Sequence, residues 1–194
     1  MKIEEDQKKN YENGGSKIRL LTYTGMFAAL IAVLTAYFMH IPVGSNGGYV
    51  HFGDSMIYIA AVLLPAPYAM AAGAIGGGLA DLLTAPLWAP ATVIIKMLIV
   101  IPFTSKNSKL LCKRNIAAPI IALFISFIGY FLAEAILFGS FPAIIASIPG
   151  SLVQSGGSAA FFYLIATVLD KLHVKEKIFN VALQHEGKYS KVNS

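Results

Sequence analysis

The sequence predicts an all-α integral membrane protein, a compact bundle of six transmembrane helices with the N- and C-termini in the cytoplasm. Composition is the first observation: 56% of the 194 residues are hydrophobic and 13% are charged, whereas charged residues make up about a quarter of a typical soluble domain. The second observation is that the basic residues lie in three clusters separated by long apolar stretches. A chain of this length and composition is expected to form one compact domain in the lipid bilayer.

The basic clusters predict how the chain is oriented in the membrane. They lie in the N-terminal segment up to Arg19, at 106–114 and from Lys171 onwards, and Lys96 is the one basic residue outside them. Cytoplasmic loops of membrane proteins are enriched in Lys and Arg, so all three clusters are expected in the cytoplasm. The same distribution argues against a nucleic-acid partner, which would require the basic residues on one folded surface.

Six spans are consistent with this orientation. They are expected at about 18–40, 53–64, 67–84, 90–104, 116–138 and 148–171. The apolar run 56–83 is divided between two helices because Pro65 and Pro67 interrupt it, and proline lacks the amide hydrogen and clashes with the preceding turn. A single span there would give five in all and would place a basic cluster on the wrong side.

Residues 18–172 form the predicted transmembrane domain, between a flexible cytoplasmic tail at 1–17 and a cytoplasmic tail at 173–194. The N-terminus has no early apolar core, so no secretory signal peptide is expected. Cys112 is the only cysteine, which excludes an intramolecular disulfide. The sequence contains no metal-ligand motif, nucleophile motif or phosphate-binding loop; we therefore expect no enzymatic activity, no metal and no cofactor.

The polar residues of the apolar segments are predicted to gather in the outer half of the bundle. They are His51, Asp54, Asp81, Lys96, Glu134 and Gln154, with Asn46 in the preceding outer loop. An ion pathway would leave polar groups through the full depth of the membrane. The pattern instead predicts a cup that opens outwards over an apolar floor, with Trp88 and Tyr130 on its wall.

Most of these residues also have a purely structural interpretation. Asp81 and Lys96 form either an ion pair alone or part of a binding site, because a partner makes a buried charge tolerable. Asp54 either caps the second helix or faces the site. Trp88 belongs either to the interfacial aromatic belt or to the site, and His51 is either solvated or a ligand contact. Glu134 has no basic residue on its own segment, which favours a functional role.

Small residues recur at four-residue spacing in the first and third spans. The first row is Ala28, Ala32 and Ala36, and the third span carries two rows, Ala69, Gly73, Gly77 and Ala72, Gly76, Ala80. Such rows let helix backbones approach closely. Two rows on one helix favour packing inside the bundle. The single row of the first span either packs internally or docks another membrane protein.

Three motifs resemble a known family. They are His51-Phe-Gly-Asp54, Gly73-Ala-Ile-Gly-Gly-Gly-Leu-Ala-Asp81 and Trp88-Ala-Pro-Ala-Thr-Val-Ile-Ile-Lys96. Together they are similar to the substrate-capture (S) components of energy-coupling factor (ECF) vitamin transporters, in the riboflavin-transporter-like branch. The resemblance extends over roughly residues 18–172. It implies a six-helix bundle that binds a B vitamin or precursor from outside, such as hydroxymethylpyrimidine, pyridoxine or a riboflavin-like compound.

The resemblance also implies partners. These are a transmembrane coupling protein (T component) and two cytoplasmic ATPases, in a bacterial cytoplasmic membrane, with Ala28, Ala32 and Ala36 as the docking row for the coupling protein. It further implies that the whole S component topples in the membrane to carry its ligand inwards. The alternative function is a stand-alone facilitator or secondary transporter for a small heteroaromatic solute, which would need no protein partner.

Overall fold

The computed structural model describes residues 2–38, 41–43, 48–139 and 141–176, with side chains at 17–38, 51–139 and 149–176. The helices are α1 (Lys2–Ala36), α2 (Gly53–Leu63), α3 (Ala66–Thr84), α4 (Ala89–Leu98), α5 (Lys113–Phe138) and α6 (Phe141–Lys171). Strands β1 (Ile41–Val43) and β2 (Gly48–Val50) form an antiparallel hairpin between α1 and α2, with Ile41 opposite Val50. The helical prediction is confirmed, and the hairpin occupies a segment expected to be a loop.

Three helices in the described part of the chain are long and apolar enough to cross a bilayer. They are Lys17–Ala36 within α1, Lys113–Phe138, and Pro149–Lys171 within α6. α2 and α4 have 11 and 10 residues, or about 15–17 Å of helix, against a hydrocarbon core of about 30 Å. The protein is therefore an integral membrane protein, while the count of six spans and the side of the termini stay predictions.

α2 is the central helix of the bundle. All eleven of its residues are buried, so α2 is apolar on nearly every side, as a helix surrounded by protein must be. It ends at Leu63, and α3 begins at Ala66 with Pro67 in its first turn. The predicted division of the long apolar run at the two prolines is therefore confirmed.

The glycines of α3 bring two neighbouring helices close. A Cβ added at Gly76 would lie 2.6 Å from the Ala28 carbonyl oxygen of α1. One at Gly73 would lie 2.9 Å from the Lys96 carbonyl oxygen of α4. α3 thus packs between α1 and α4 through its two small-residue rows, which confirms the internal role expected for them.

The alanine row of α1 is used largely for this packing. Ala28 is 4% exposed and Ala36 is 7% exposed, and Ala32 is half-buried. Gly25, Ala29 and other residues of the opposite face are exposed instead. Ala28 and Ala36 therefore lack the exposure that docking to another protein requires, and the structure favours the internal alternative for these two. α1 also begins at Lys2, so the segment expected to be a flexible tail is helical.

The end of the bundle at which α2 terminates is closed by hydrogen bonds to the segment between α4 and α5. The Asp170 carboxylate accepts hydrogen bonds from the backbone N–H groups of Leu110 (2.7 Å) and Leu111 (3.0 Å). The buried Lys175 Nζ donates to three carbonyl oxygens, those of Val62 (3.0 Å), Ser105 (2.7 Å) and Asn107 (2.6 Å). These contacts hold the segment under the C-terminal end of α2.

An aromatic cluster fills the space above these ties. Tyr58 stacks on Phe103 with ring centroids 4.9 Å apart, and Phe162 meets both rings edge-on at 5.9 and 5.6 Å. All three side chains are buried. Tyr58 follows Asp54 by one turn on α2, so the cluster forms an apolar floor next to the polar residues.

Candidate ligand-binding site

The centre of the candidate site is a buried ion pair between α4 and α2. Lys96 Nζ lies 2.5 Å from Asp54 Oδ1, and the two side chains are 1% and 3% exposed. The sequence predicted Asp81 as the acidic partner of Lys96, whereas the carboxylate in contact with Lys96 Nζ here is that of Asp54. The Lys96 side chain passes over Gly77 of α3, where a Cβ would lie 2.8 Å from Lys96 Cγ. The missing side chain at this position opens the route from α4 to α2.

Asp54 takes part in the site and does not cap α2. The N-cap residue of α2 is Phe52, whose own side chain makes no capping hydrogen bond. Both carboxylate oxygens of Asp54 are engaged elsewhere, because Oδ2 accepts a hydrogen bond of 3.2 Å from Gln154 Nε2. The capping alternative for Asp54 is therefore wrong.

Gln154 of α6 ties His51 to the ion pair. Its Oε1 accepts the backbone N–H of His51 at 3.2 Å, and its Nε2 lies 2.9 Å from His51 Nε2. His51 Nδ1 accepts the backbone N–H of Gly53 at 3.0 Å. His51 is 5% exposed, so the solvated alternative is wrong for this residue. Four polar side chains from α2, α4, α6 and the segment before α2 thus form one network.

Gly53 is required where this network meets α1. A Cβ at this position would overlap Thr35 Oγ1 and would lie 3.0 Å from His51 Nδ1. The motif His51-Phe-Gly-Asp54 therefore has a physical reason. It places the His51 imidazole and the Asp54 carboxylate on either side of a residue with no side chain, which lies against the buried Thr35 of α1.

An aromatic wall stands beside the ion pair. Tyr130 of α5 has its ring centroid 5.4 Å from Lys96 Nζ, and its hydroxyl lies 3.1 Å from Thr92 Oγ1. Trp88 meets the Tyr130 ring edge-on at 6.0 Å and the Phe138 ring at 5.9 Å. Both Trp88 and Tyr130 are half-buried. Trp88 therefore packs against α5 beside the network.

Two further carboxylates are buried near this wall. Asp81 is 5% exposed and Glu134 is 3% exposed. Glu134 follows Tyr130 by one helical turn on α5, and Asp81 lies in the last turn of α3. No group of three or more His, Cys, Asp and Glu residues in the described part of the chain could hold a metal ion. Asn46, the remaining predicted site residue, lies outside the described residues.

The sequence of the bundle matches one family model. The model, described as "ECF-type riboflavin transporter, S component", matches residues 15–171. The chain belongs to this family. The match includes every residue of the network and the wall, and the family is a class of transport subunit rather than of enzyme.

One curated relative is also similar to this S component. An "Uncharacterized protein in gap 3'region" of Pyrococcus woesei is 40% identical over 63 residues, which are 32% of this chain and 43% of that protein. The chain thus covers less than half of that relative's length.

Two side chains of this S component carry structural roles in the site that the sequence analysis missed. Thr92 holds the Tyr130 hydroxyl. Phe52 lies against α6, with its ring 5.6 Å from that of Phe161 and within 3.3 Å of a Cβ built at Gly157. Both residues lie inside the motifs that carry the family resemblance, and this position is the feature of the sequence that could have indicated their roles.

Proposed function

We propose that this S component captures a small heteroaromatic B vitamin or vitamin precursor from outside the membrane and delivers it for import through a coupling protein and ATPases. The observation that carries the proposal is the junction of the Lys96–Asp54–Gln154–His51 network with the half-buried Trp88 and Tyr130 rings. Ligand sites combine apolar and aromatic walls with a few fixed polar groups. Tyr130 and Trp88 offer ring faces and edges for a planar ligand.

The proposal includes six membrane crossings with both termini in the cytoplasm of a bacterial cell. α3 has 19 residues, or about 28 Å of helix, and the short α2 and α4 complete their crossings with the irregular segments beside them. The positive-inside rule then places the ties around Lys175 on the cytoplasmic side and the wall of Trp88 outside. The candidate site consequently opens away from the ATPases.

Coupling to partners is favoured over the stand-alone facilitator. The aromatic floor of Tyr58, Phe103 and Phe162 and the inner ties at Lys175 lie directly beneath the site. A facilitator would need these layers to open during transport, whereas a subunit that moves as a whole can keep them closed. For docking we propose the exposed face of α1 around Gly25, Ala29 and Val33, with the half-buried Ala32 at its edge.

Ligand binding by the purified protein tests this function. Trp88 is the only tryptophan of the chain, so its fluorescence reports directly on the wall of the site. Titration with a panel of B vitamins and precursors is expected to give saturable quenching for at least one compound. In a Trp88→Phe variant the signal should vanish while calorimetry still detects binding. Absence of binding across the whole panel would overturn the proposal.

A further inference from the structure

Exposed basic side chains surround the end of the bundle at which α2 terminates. They are Lys106, Lys109, Lys113, Arg114 and Lys171. We call this set the basic rim. The carboxylates of Asp170 and Glu176 lie at the same end, and both oxygens of Asp170 already accept backbone N–H groups. Among the described side chains of this end, positive charge is therefore in excess.

The backbone on both sides of Lys106 is fixed. The carbonyl oxygens of its neighbours Ser105 and Asn107 accept hydrogen bonds of 2.7 and 2.6 Å from Lys175 Nζ. Lys175 is 8% exposed, and hydrogen bonds sheltered from water in this way are stronger than exposed ones. Lys106 is itself exposed, so its side chain extends into solvent from a fixed piece of backbone.

Lys109 is held close to Lys171 by a similar bond. The N–H of Leu110, which follows Lys109, donates to the Asp170 carboxylate at 2.7 Å, and Asp170 directly precedes Lys171. Two exposed lysines from distant parts of the chain are thus brought to one place. Because like charges gathered on a folded protein repel each other, the stability of the fold does not explain this arrangement.

The start of α5 adds two further cations. Its first turn begins with Lys113 and Arg114, although a helix N-terminus favours negative charge. Arg114 donates from Nε to the Pro102 carbonyl oxygen at 2.7 Å and from Nη2 to that of Ile101 at 3.0 Å. A guanidinium has five N–H groups, so these two bonds fix the exposed Arg114 side chain and leave it able to bind an anion.

The basic rim lies at the level of the lipid headgroups. Lys113 is the first residue of an apolar span of 26 residues, and Lys171 is the last residue of one of 23. Helices of this length measure about 39 and 35 Å, against a hydrocarbon core of about 30 Å. Both lysines therefore reach the layer that contains the lipid phosphates, and the flexible lysine stem allows further adjustment.

We propose that the basic rim binds the headgroups of anionic phospholipids. Phosphate oxygens accept strong, charge-assisted hydrogen bonds from Lys and Arg, and each such residue near an anionic membrane surface strengthens the attraction. The fixed backbone beside Lys106 and Lys109 lowers the entropy that is lost when their side chains bind. Two turns of α2, from Asp54 to Val62, separate this surface from the candidate ligand-binding site.

Lipid binding by the full chain in neutral detergent micelles tests the proposal. A lipid that binds the folded protein raises its unfolding temperature, so titrations with phosphatidylglycerol and with the zwitterionic phosphatidylcholine give two affinities to compare. At low salt, phosphatidylglycerol should bind at least about tenfold more tightly. This preference should shrink in about 0.5 M NaCl, which screens exposed charges. Equal affinities for the two lipids at low salt overturn the proposal.

Two triple variants test whether the basic rim provides the preference. Lys106→Gln/Lys109→Gln/Lys113→Gln should weaken phosphatidylglycerol binding by at least about tenfold. The matched control, with Arg at the same three positions, keeps the charge and should keep the affinity. A folded glutamine variant with the wild-type preference overturns the proposal, as does an arginine variant that loses it.

An acidic surface of a partner protein is the other occupant that this test distinguishes. Equal binding of the two lipids by the wild type, together with loss of uptake by the complete transporter in the glutamine variant, would assign the basic rim to such a partner and overturn the lipid proposal. Should the glutamine variant not fold, the salt dependence of the wild type and the arginine variant still decide.

Discussion

Lys96 extends from α4 to α2 because α3, which it passes, carries a glycine at the point of contact. Gly77 leaves room for the lysine side chain, and the ammonium ends against a carboxylate in the first turn of α2. Both groups are withdrawn from water, so each depends on the other for compensation. Breaking a buried pair by removing one partner is far more costly than replacing both partners with apolar groups.

This dependence predicts a non-additive pair of variants. Lys96→Met leaves Asp54 buried without its cation and should lower the stability of the purified protein by about 3–5 kcal/mol. Asp54→Asn/Lys96→Met should recover a large part of that loss. Thermal unfolding in detergent measures both, with Lys106→Met as an exposed control that should unfold like the wild type. Equal losses of stability in the single and double variants would contradict the conclusion that Lys96 and Asp54 compensate each other's buried charge.

The site residues were only partly predictable from the sequence. The residue types followed from the presence of charge within apolar segments, and the side chains of His51, Asp54, Lys96 and Gln154 do meet. The choice of partner did not follow, because Asp81 is nearer to Lys96 in sequence. The partner depends on which helix lies at the centre of the bundle, and that is decided by the packing of all the helices together. Because α2 lies at the centre, Asp54 is placed next to Lys96.

At the level of elements, the glycines of α3 allow it to pack closely against both α1 and α4. Gly76 faces the Ala28 carbonyl oxygen of α1, while Gly73 and Gly77 face Lys96 of α4. The break between α2 and α3 was predictable, since prolines at 65 and 67 allow few alternatives. The β1–β2 hairpin was not, because a segment that reads Pro-Val-Gly-Ser-Asn-Gly-Gly has the composition of a loop.

The contact at Gly76 predicts a glycine-specific loss of stability. In Gly76→Ala, the new methyl group would lie 2.6 Å from a backbone oxygen and 2.7 Å from Ile31 Cβ, so α1 and α3 must separate. Overpacking of this kind costs about 1–3 kcal/mol. Gly25→Ala is the matched control, because a Cβ there has nothing within 4 Å. Comparable unfolding temperatures for the two variants would show that α1 and α3 are not in such close contact.

At the scale of the whole molecule, α1 has one face packed against the bundle and one exposed face, and its small residues are divided between the two. Ala28 faces inwards with 4% exposure, whereas Ala29 lies on the exposed face. Ala28 therefore packs within the S component, and its neighbour Ala29 is available for the proposed contact with the coupling protein. Substituting each of these alanines with a bulky residue tests the two roles separately.

Ala29→Trp should leave ligand binding and thermal stability near wild type while abolishing uptake by the complete transporter, because the large ring would block close approach of a partner helix. Ala28→Trp should instead impair folding, since no space exists against α3. Uptake in cells, ligand binding and unfolding temperature are measured for both variants. Normal uptake by Ala29→Trp would place the docking surface elsewhere on the molecule.

The ties made by Lys175 set an order of events during synthesis. Its ammonium bonds to Asn107, 68 residues earlier in the chain, and to Val62, 113 residues earlier. At about 5–20 residues per second, translation needs roughly 3–14 s to travel from Asn107 to Lys175. Until then the Val62 carbonyl group lacks the ammonium donor that it has in the folded protein. The end of the bundle around Lys175 is therefore the last part to close, after the helices that carry the candidate site have been made.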